Sequence, residues 1–192
     1  MLFRSLDTET GAKILQEFKS QLGPRTPPRF LLPDALHSQD FVSNLAAAKS
    51  LVEGCIGTAP TTPSDAEDIA RGATFNAAFK AAYSKDPVQY NDASYDSIYI
   101  IAAAIEKAKS DAPADVLAQI REVSGKQPMA AGTTFGPGEW KKAQTAIAAG
   151  EAVNYQGASG TCDLDEAGDP SGFYNVWSVM GGMIKDGMTV KP

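Results

Sequence analysis

The acidic segment at residues 163–168 is the part of the sequence that most resembles a metal site. Its letters, DLDEAG, begin like the D-x-D-x-x-G of a calcium loop, in which carboxylate oxygens ligate the ion. The pattern fails at Ala167, where an oxygen ligand is needed, and again at Tyr174, where a bidentate glutamate is needed. We therefore interpret the segment as an acidic turn, and we predict neither a metal site nor a cofactor.

The single histidine, His37, restricts the kinds of catalytic site that the chain could form. A Ser-His-Asp triad or a Cys-His pair would have to use His37. The glycine-containing segment at residues 157–160 lacks the G-x-S-x-G spacing of a hydrolase nucleophile, and no histidine follows it. We predict that His37 is an exposed loop or capping residue, that there are no catalytic residues and that the chain is not an enzyme.

Asp34 is the first candidate for a ligand contact, because it follows a predicted buried strand and Pro33. Ligands of α/β proteins bind just beyond the carboxyl ends of strands, and a carboxylate there can accept a charge-assisted hydrogen bond from an ammonium group. A solvated loop acid or a helix cap is the alternative for Asp34. Tyr90 precedes a long predicted helix, where its phenol could line a cleft or pack in the core.

The two cysteines, Cys55 and Cys162, lie far apart in the sequence, each in an apolar, strand-like run. They are too few for a zinc site made of four thiolates. Two readings stay open: buried free thiols, or, if the chain is exported, a disulfide that closes a long loop.

The elements that must position these residues alternate between helices and short apolar strands, which predicts an α/β protein. A Thr/Pro-rich crossing at residues 61–64 is typical of a hinge, and Ser64 with Glu67 forms a capping-box pattern for the next helix. The strands are few for so many helices, so we expect further strands from sequence outside this chain. Helices are predicted at residues 8–22, 39–48, 65–84, 91–109, 114–123 and 139–150, and strands at 30–32, 54–60, 153–155, 161–165, 174–180 and 183–190.

The net charge of −6, from 23 acidic and 17 basic residues, argues against nucleic acid or an anionic membrane surface as the main partner. No apolar run reaches the roughly 20 residues that a membrane span needs, so we predict no membrane insertion by this chain. Residues 1–6 are too short for a signal peptide and lack a cleavage site.

Five blocks of the sequence lie in a recognisable order: residues 30–41, 53–60, 94–99 with 102–108, 136–140, and 154–160 followed by 163–169. Together they resemble the second half of type I periplasmic substrate-binding proteins of the branched-chain amino acid ABC-transporter class. The resemblance implies two three-layer α/β lobes joined by hinge crossings, of which this chain would be an N-terminally truncated portion. Residues 1–60 would belong to the second lobe, 61–170 to the first, and 171–192 to the second again.

The resemblance also implies a function: an extracytoplasmic, periplasmic receptor that holds an amino acid or similar small polar ligand and delivers it to an ABC permease. Asp34 falls where the leucine/isoleucine/valine binders have a glutamate that receives the ligand's α-ammonium, and Tyr90 is a weaker second candidate. A periplasmic setting favours pairing of Cys55 with Cys162. The alternative is a ligand-sensing domain of a receptor or regulator with the same fold. We expect residues 1–192 alone to be marginally folded and to bind ligand poorly.

Overall fold

The structure, a computed structural model, describes residues 7–61, 65–88, 90–125, 131–170 and 172–190. It is a mixed α/β structure, as predicted. Contacts divide the chain into two compact units: unit 1 comprises Met1–Thr61 and Phe173–Pro192, and unit 2 comprises Thr62–Gly172. The predicted hinge segment at residues 62–64 and the Ser64 cap lie outside the described residues.

Unit 1 is built on a four-stranded sheet in the order β1-β2-β5-β6. Strand β1 pairs with β2 in parallel, whereas β2–β5 and β5–β6 are antiparallel. The predicted Gly181-Gly182 turn joins β5 to β6, and both glycines have positive φ, as a tight hairpin turn requires. The elements of unit 1 are helices α1 (Thr8–Leu22) and α2 (Gln39–Asn44), 3₁₀ helices at Asp34–Leu36 and Ala46–Leu51, and strands β1 (Leu31–Leu32), β2 (Ile56–Thr61), β5 (Phe173–Met180) and β6 (Met183–Val190).

The core of unit 1 lies on one face of this sheet. Leu32, Ala59, Trp177 and Val179 point into it and cluster with buried side chains of the helical segments. The neighbouring residues in each strand point to the opposite face and are exposed or half-buried. The prediction of fully buried strands at residues 30–32 and 54–60 was therefore wrong, because every second residue of β1 and β2 is exposed. The exposed apolar residues of this face include Leu31, Ile56, Tyr174, Met180 and Met183.

Unit 2 has a two-stranded parallel sheet, β3–β4, packed with helices α4 to α6. A chain of aromatic contacts runs from Phe75 on α3 to Tyr95 and Tyr99 on α4, and Tyr99 also contacts Trp140 and Tyr155. These rings join helices and sheet into one core. The elements are α3 (Ala66–Tyr83), α4 (Asn91–Ala108), α5 (Pro113–Val123), β3 (Thr133–Phe135), α6 (Trp140–Ala148) and β4 (Val153–Tyr155).

Three predictions for unit 2 need correction. Strand β3 lies in a segment that was predicted to be a loop, and the predicted strand at 161–165 makes only isolated bridges at Leu164. The helical spacing of apolar residues in α4 predicts an inward face made of Tyr95, Ile98, Ala102 and Ile105. In the structure Ile98 and Ile105 are exposed, whereas Asp96, Ala103 and Ala104 are buried. The reason is that α4 packs through small alanine side chains, while the buried carboxylate of Asp96 is satisfied by hydrogen bonds from a loop. Among the described helices, none combines the length and apolarity needed to cross a membrane.

Candidate functional site

Asp34 begins the 3₁₀ helix that directly follows β1 and Pro33. Strands β1 and β2 are parallel, and Leu32, the last residue of β1, pairs with Gly57, so β2 continues for four residues beyond the end of β1. The turn is closed by the Leu36 N–H, which donates to the Pro33 carbonyl at 3.0 Å, and by the His37 N–H, which donates to the Asp34 carbonyl at 2.9 Å. Leu36 is buried and fixes the turn on the core. The half-buried Asp34 is thus carried by a short, ordered turn at the end of a strand.

His37 belongs to a polar cluster that sequence reasoning did not foresee. Its Nε2 lies 2.8 Å from Oδ1 of Asp186 on β6, and its ring lies 5.1 Å from the ring of Trp177. The Asn175 amide donates to the same Asp186 oxygen at 2.5 Å. The histidine side chain is only 22% exposed, so the exposed-loop alternative was wrong. The capping alternative is confirmed, because His37 is the C-cap residue of the 3₁₀ helix and its N–H donates to the Asp34 carbonyl. No pattern in the sequence links His37 to Asp186, because the pairing depends on the register of β5 and β6.

The pairing of β5 with β6 is irregular beside this cluster. The register shifts between Asn175 and Trp177, as in a β-bulge. The Gly187 N–H donates to Oδ1 of Asn175 at 3.2 Å, and a Cβ on Gly187 would lie 2.5 Å from the Val176 carbonyl oxygen. The irregularity therefore places Asn175 and Asp186 on the side of the sheet that His37 occupies.

Trp177 carries one of the buried polar atoms without a hydrogen-bond partner among the described residues, its indole Nε1. Its side chain is fully buried and packs over Gly57, the residue of β2 that pairs with Leu32. A tryptophan ring therefore packs on the residue of β2 that pairs with the last residue of β1.

Tyr90 of unit 2 is the residue immediately before α4. Its backbone has φ of 69°, in the left-handed region that is uncommon for a residue other than glycine, and its carbonyl accepts a hydrogen bond from the Ser94 N–H. The residue is 40% exposed. Exposure to this degree argues against the core-packing alternative for Tyr90.

The most connected polar residue of unit 2 is Asp96, which is 2% exposed. Its Oδ1 accepts hydrogen bonds from the Tyr155 hydroxyl at 2.6 Å and the Ala158 N–H at 2.8 Å. Its Oδ2 accepts bonds from the Ser159 N–H and hydroxyl at 2.8 and 2.6 Å, and from the Cys162 thiol at 3.5 Å. One carboxylate therefore fixes the loop that follows β4.

The surroundings of Asp96 suppress ionisation of the neighbouring groups. Burial, the Asp96 charge and the hydrogen bond to it raise the pKa of Tyr155 well above its usual range. Burial and the same charge raise the pKa of the Cys162 thiol to about 12. Because the thiolate is the nucleophile, the protonated Cys162 acts here as a hydrogen-bond donor.

Gly157 and Arg71 complete this loop. A Cβ on Gly157 would collide with Oδ2 of Asp96 and Sγ of Cys162, so the loop closes only over a glycine. Nε of Arg71 on α3 donates to the Gly157 carbonyl at 3.3 Å, and the same guanidinium forms an ion pair with the buried Asp68. Arg71 thereby ties α3 to the loop.

Both cysteines are free thiols in the structure. The Cys55 thiol is buried in unit 1 and donates to the Leu51 carbonyl at 3.4 Å, whereas Cys162 faces Asp96 in unit 2. The free-thiol alternative describes both residues as they stand in the structure, and the disulfide that the resemblance suggested, which would join the two units, stays a prediction.

The structure also accounts for the acidic segment at residues 163–168. Oδ1 of Asp165 accepts hydrogen bonds from the Ala167 and Asp169 N–H groups at 2.8 and 3.0 Å, and these backbone bonds hold the pKa of Asp165 below its usual value. The segment is an acidic turn, as predicted. Within the described ranges, no group of three or more His, Cys, Asp or Glu side chains could hold a metal ion.

A family comparison identifies the relatives of this arrangement of two α/β units. The model of the receptor family ligand binding region matches residues 3–182. The chain belongs to this family. The recognition of a type I periplasmic-binding-protein fold from the sequence blocks is thus confirmed.

Among solved structures, this receptor-family chain is similar to the leucine-binding protein LivK of Thermotoga maritima. The two share 20% sequence identity with a TM-score of 0.58, and this resemblance shows the fold. It covers 97% of the present chain and 43% of LivK, so the chain spans less than half the length of that protein. None of the curated proteins matches the chain.

Proposed function

We propose that this receptor-family chain is part of an extracytoplasmic, periplasmic receptor that captures an amino acid or a related small polar ligand and delivers it to an ABC permease. The observation that carries the proposal is the position of Asp34, on an ordered turn directly after the carboxyl end of β1, a strand that pairs in parallel with β2. Ligands of α/β sheets bind at such ends. The membership in a ligand-binding family supports a binding role over a catalytic one.

Asp34 would accept a charge-assisted hydrogen bond from the α-ammonium group of the ligand. Aspartate stands here where the leucine/isoleucine/valine binders have glutamate, so the ammonium would have to approach closer to the turn. We propose Tyr90 as a second contact, supplied by unit 2. We further propose that residues 1–60 and 171–192 belong to the second lobe of the receptor and residues 61–170 to the first.

Calorimetric titration tests this role on the protein produced from its natural coding sequence, including any segment that precedes residue 1. L-leucine, L-valine and L-glutamine serve as probes, and 4-methylpentanoic acid serves as a leucine analogue without the ammonium group. We expect one of the amino acids to bind and Asp34→Asn to weaken it about 10- to 100-fold, since a hydrogen bond between charged groups contributes about 1.5–3 kcal/mol.

Asp40→Asn, an exposed acid six positions further along, is the matched control and should leave the affinity unchanged. The analogue without an ammonium group should bind weakly to wild type and should not discriminate between wild type and Asp34→Asn. Unchanged amino-acid affinity in Asp34→Asn would contradict the role of this carboxylate.

A ligand-sensing role is the second candidate, because the matching family is described as a receptor family. In that case the same binding event would control a regulator and no solute would be transported. Genes for a permease and an ATPase beside the coding sequence would support transport, whereas a kinase or response-regulator gene would support sensing.

A further inference from the structure

The Asp34 turn is fixed from two sides, and this points to a role for His37. On one side Leu36 is buried in the core of unit 1. On the other side, three residues after Asp34, the His37 imidazole reaches Asp186 of β6 at 2.8 Å. The turn and strand β6 are therefore joined by a side-chain bridge between residues that lie far apart in the sequence.

The bridge is supported by groups that hold each partner in place. Asp186 is itself 69% exposed, but the Asn175 amide donates to the same carboxylate oxygen, and Asn175 is in turn held by the Gly187 N–H. The His37 ring lies against the fully buried ring of Trp177, with 31° between the two planes. A ring that lies against the tryptophan and has one anchored nitrogen has little rotational freedom, so His37 transmits the position of β5 and β6 to the turn.

We propose that His37 is a positioning residue for ligand binding: its bridge to Asp186 holds the Asp34 turn in the conformation that receives an ammonium group. This inference rests on the proposed function of Asp34. It assigns His37 no contact with the ligand. A carboxylate that is already held in place loses less conformational entropy when the ligand binds, so pre-organisation of this kind raises the affinity for the ligand.

Two substitutions of His37 separate the bridge from the packing. His37→Phe keeps a ring against Trp177 but removes the nitrogen that faces Asp186. In His37→Gln the amide nitrogen is the same number of bonds from Cα as Nε2, so it can donate to Asp186 without the aromatic ring. Asp186→Ala removes the other partner of the bridge.

Amide hydrogen exchange of residues 35–38 provides a measurement that needs no ligand. We expect exchange at Leu36 and His37 to be about tenfold faster in His37→Phe and Asp186→Ala, and close to wild type in His37→Gln. Exchange in α1 of the same unit should be unaffected. Unchanged exchange at the turn, or equal acceleration in α1, would overturn the inference.

Titration with L-leucine, or with whichever amino acid of the panel binds wild type, provides the second measurement. His37→Phe should raise the Kd about tenfold, which corresponds to 1.4 kcal/mol, and His37→Gln should restore it. An unchanged Kd in His37→Phe, while Asp34→Asn weakens binding, overturns the positioning role alone. If wild type binds no amino acid, the proposed function fails and a positioning role in binding fails with it, whereas the exchange measurement still decides whether the bridge orders the turn.

Discussion

Asp96 shows how much one side chain contributes to the structure of unit 2. Five hydrogen bonds from four residues end on its two carboxylate oxygens, and all four residues belong to β4 and the loop behind it. Because the environment of Asp96 is buried, each of these donors would be left without a hydrogen-bond partner if the carboxylate were absent. The residue therefore has a structural role.

Replacing Asp96 by alanine should lower the free energy of unfolding by about 3–5 kcal/mol, because it leaves buried donors unsatisfied. Asp96→Asn should lower the free energy of unfolding by an intermediate amount. Its amide keeps one acceptor oxygen but places two N–H groups opposite the donors of the loop. Urea unfolding followed by far-ultraviolet circular dichroism measures both variants.

The control for this series is Asp111→Asn, an exposed acid beyond the end of α4, which should stay within about 0.5 kcal/mol of wild type. A loss no larger for Asp96→Ala than for this control would show that the hydrogen bonds to Asp96 contribute little to stability.

At the residue scale, the sequence predicted some of these positions and not others. Asp34 could be singled out because a strand, a proline and an acid are adjacent in the chain. Asp96 could have been placed inward from its spacing of seven residues before Ala103, but a periodicity search weights large aliphatic residues and selected Ile98. The pairing of His37 with Asp186 could not be predicted, since it depends on a register that only the folded sheet defines.

At the scale of elements, the packing between β2 and β5 depends on the absence of a side chain at Gly57. A Cβ there would lie 2.5 Å from Cε2 of Trp177 and 2.6 Å from the Leu32 carbonyl oxygen. One of these neighbours is a large buried ring and the other is backbone, so neither is free to move away. The tryptophan ring therefore packs directly on the backbone of β2.

Gly57→Ala should lower the free energy of unfolding by about 1–3 kcal/mol, which is the usual effect of an overpacked core. Thr58→Ala, at the next position of the same strand and on its exposed face, is the matched control. Thr58→Ala should lower the free energy of unfolding by less than about 1 kcal/mol, which is the range spanned by strand propensities. Thermal unfolding by circular dichroism compares the two, and an equal effect at both positions would contradict this account of the packing.

Prediction of the elements succeeded where local signals are strong. Helix α1 has the predicted bounds, and the Asp7 side chain caps it by accepting a hydrogen bond from the Thr10 N–H. Gly181 and Gly182 form the turn between the strands predicted at residues 174–180 and 183–190. Strand β3 was missed because its three residues follow a glycine and lie among loop-like residues, so it is defined by its pairing with β4. Short strands of this kind are defined by the strands they pair with, and their own residues show little pattern from which a strand could be predicted.

At the scale of the whole molecule, apolar side chains remain exposed in both units. In unit 1 they lie on the open face of the sheet, and in unit 2 they include Ile98, Ile101 and Ile105 along one side of α4. The α4 residues are those that periodicity assigned to a core. Exposed apolar patches of this kind mark surfaces that interact with other polypeptide or that reduce solubility.

We therefore expect residues 1–192, expressed alone, to have a free energy of unfolding below about 5 kcal/mol, at the lower limit for native domains. The thermal transition should be broad, and the folded protein should bind the dye ANS at 25 °C. Differential scanning calorimetry and dye titration measure these properties. A sharp, cooperative transition at high temperature would contradict the expectation.

The two tryptophans of the chain are distributed one to each unit, Trp177 in the core of unit 1 and Trp140 beside Tyr99 in unit 2. The protein thus carries an intrinsic fluorophore in each half. In Trp140→Phe the emission would report on unit 1 alone, and in Trp177→Phe on unit 2 alone. Denaturation or ligand titration of each unit could then be followed by the fluorescence of its own tryptophan, without an attached label.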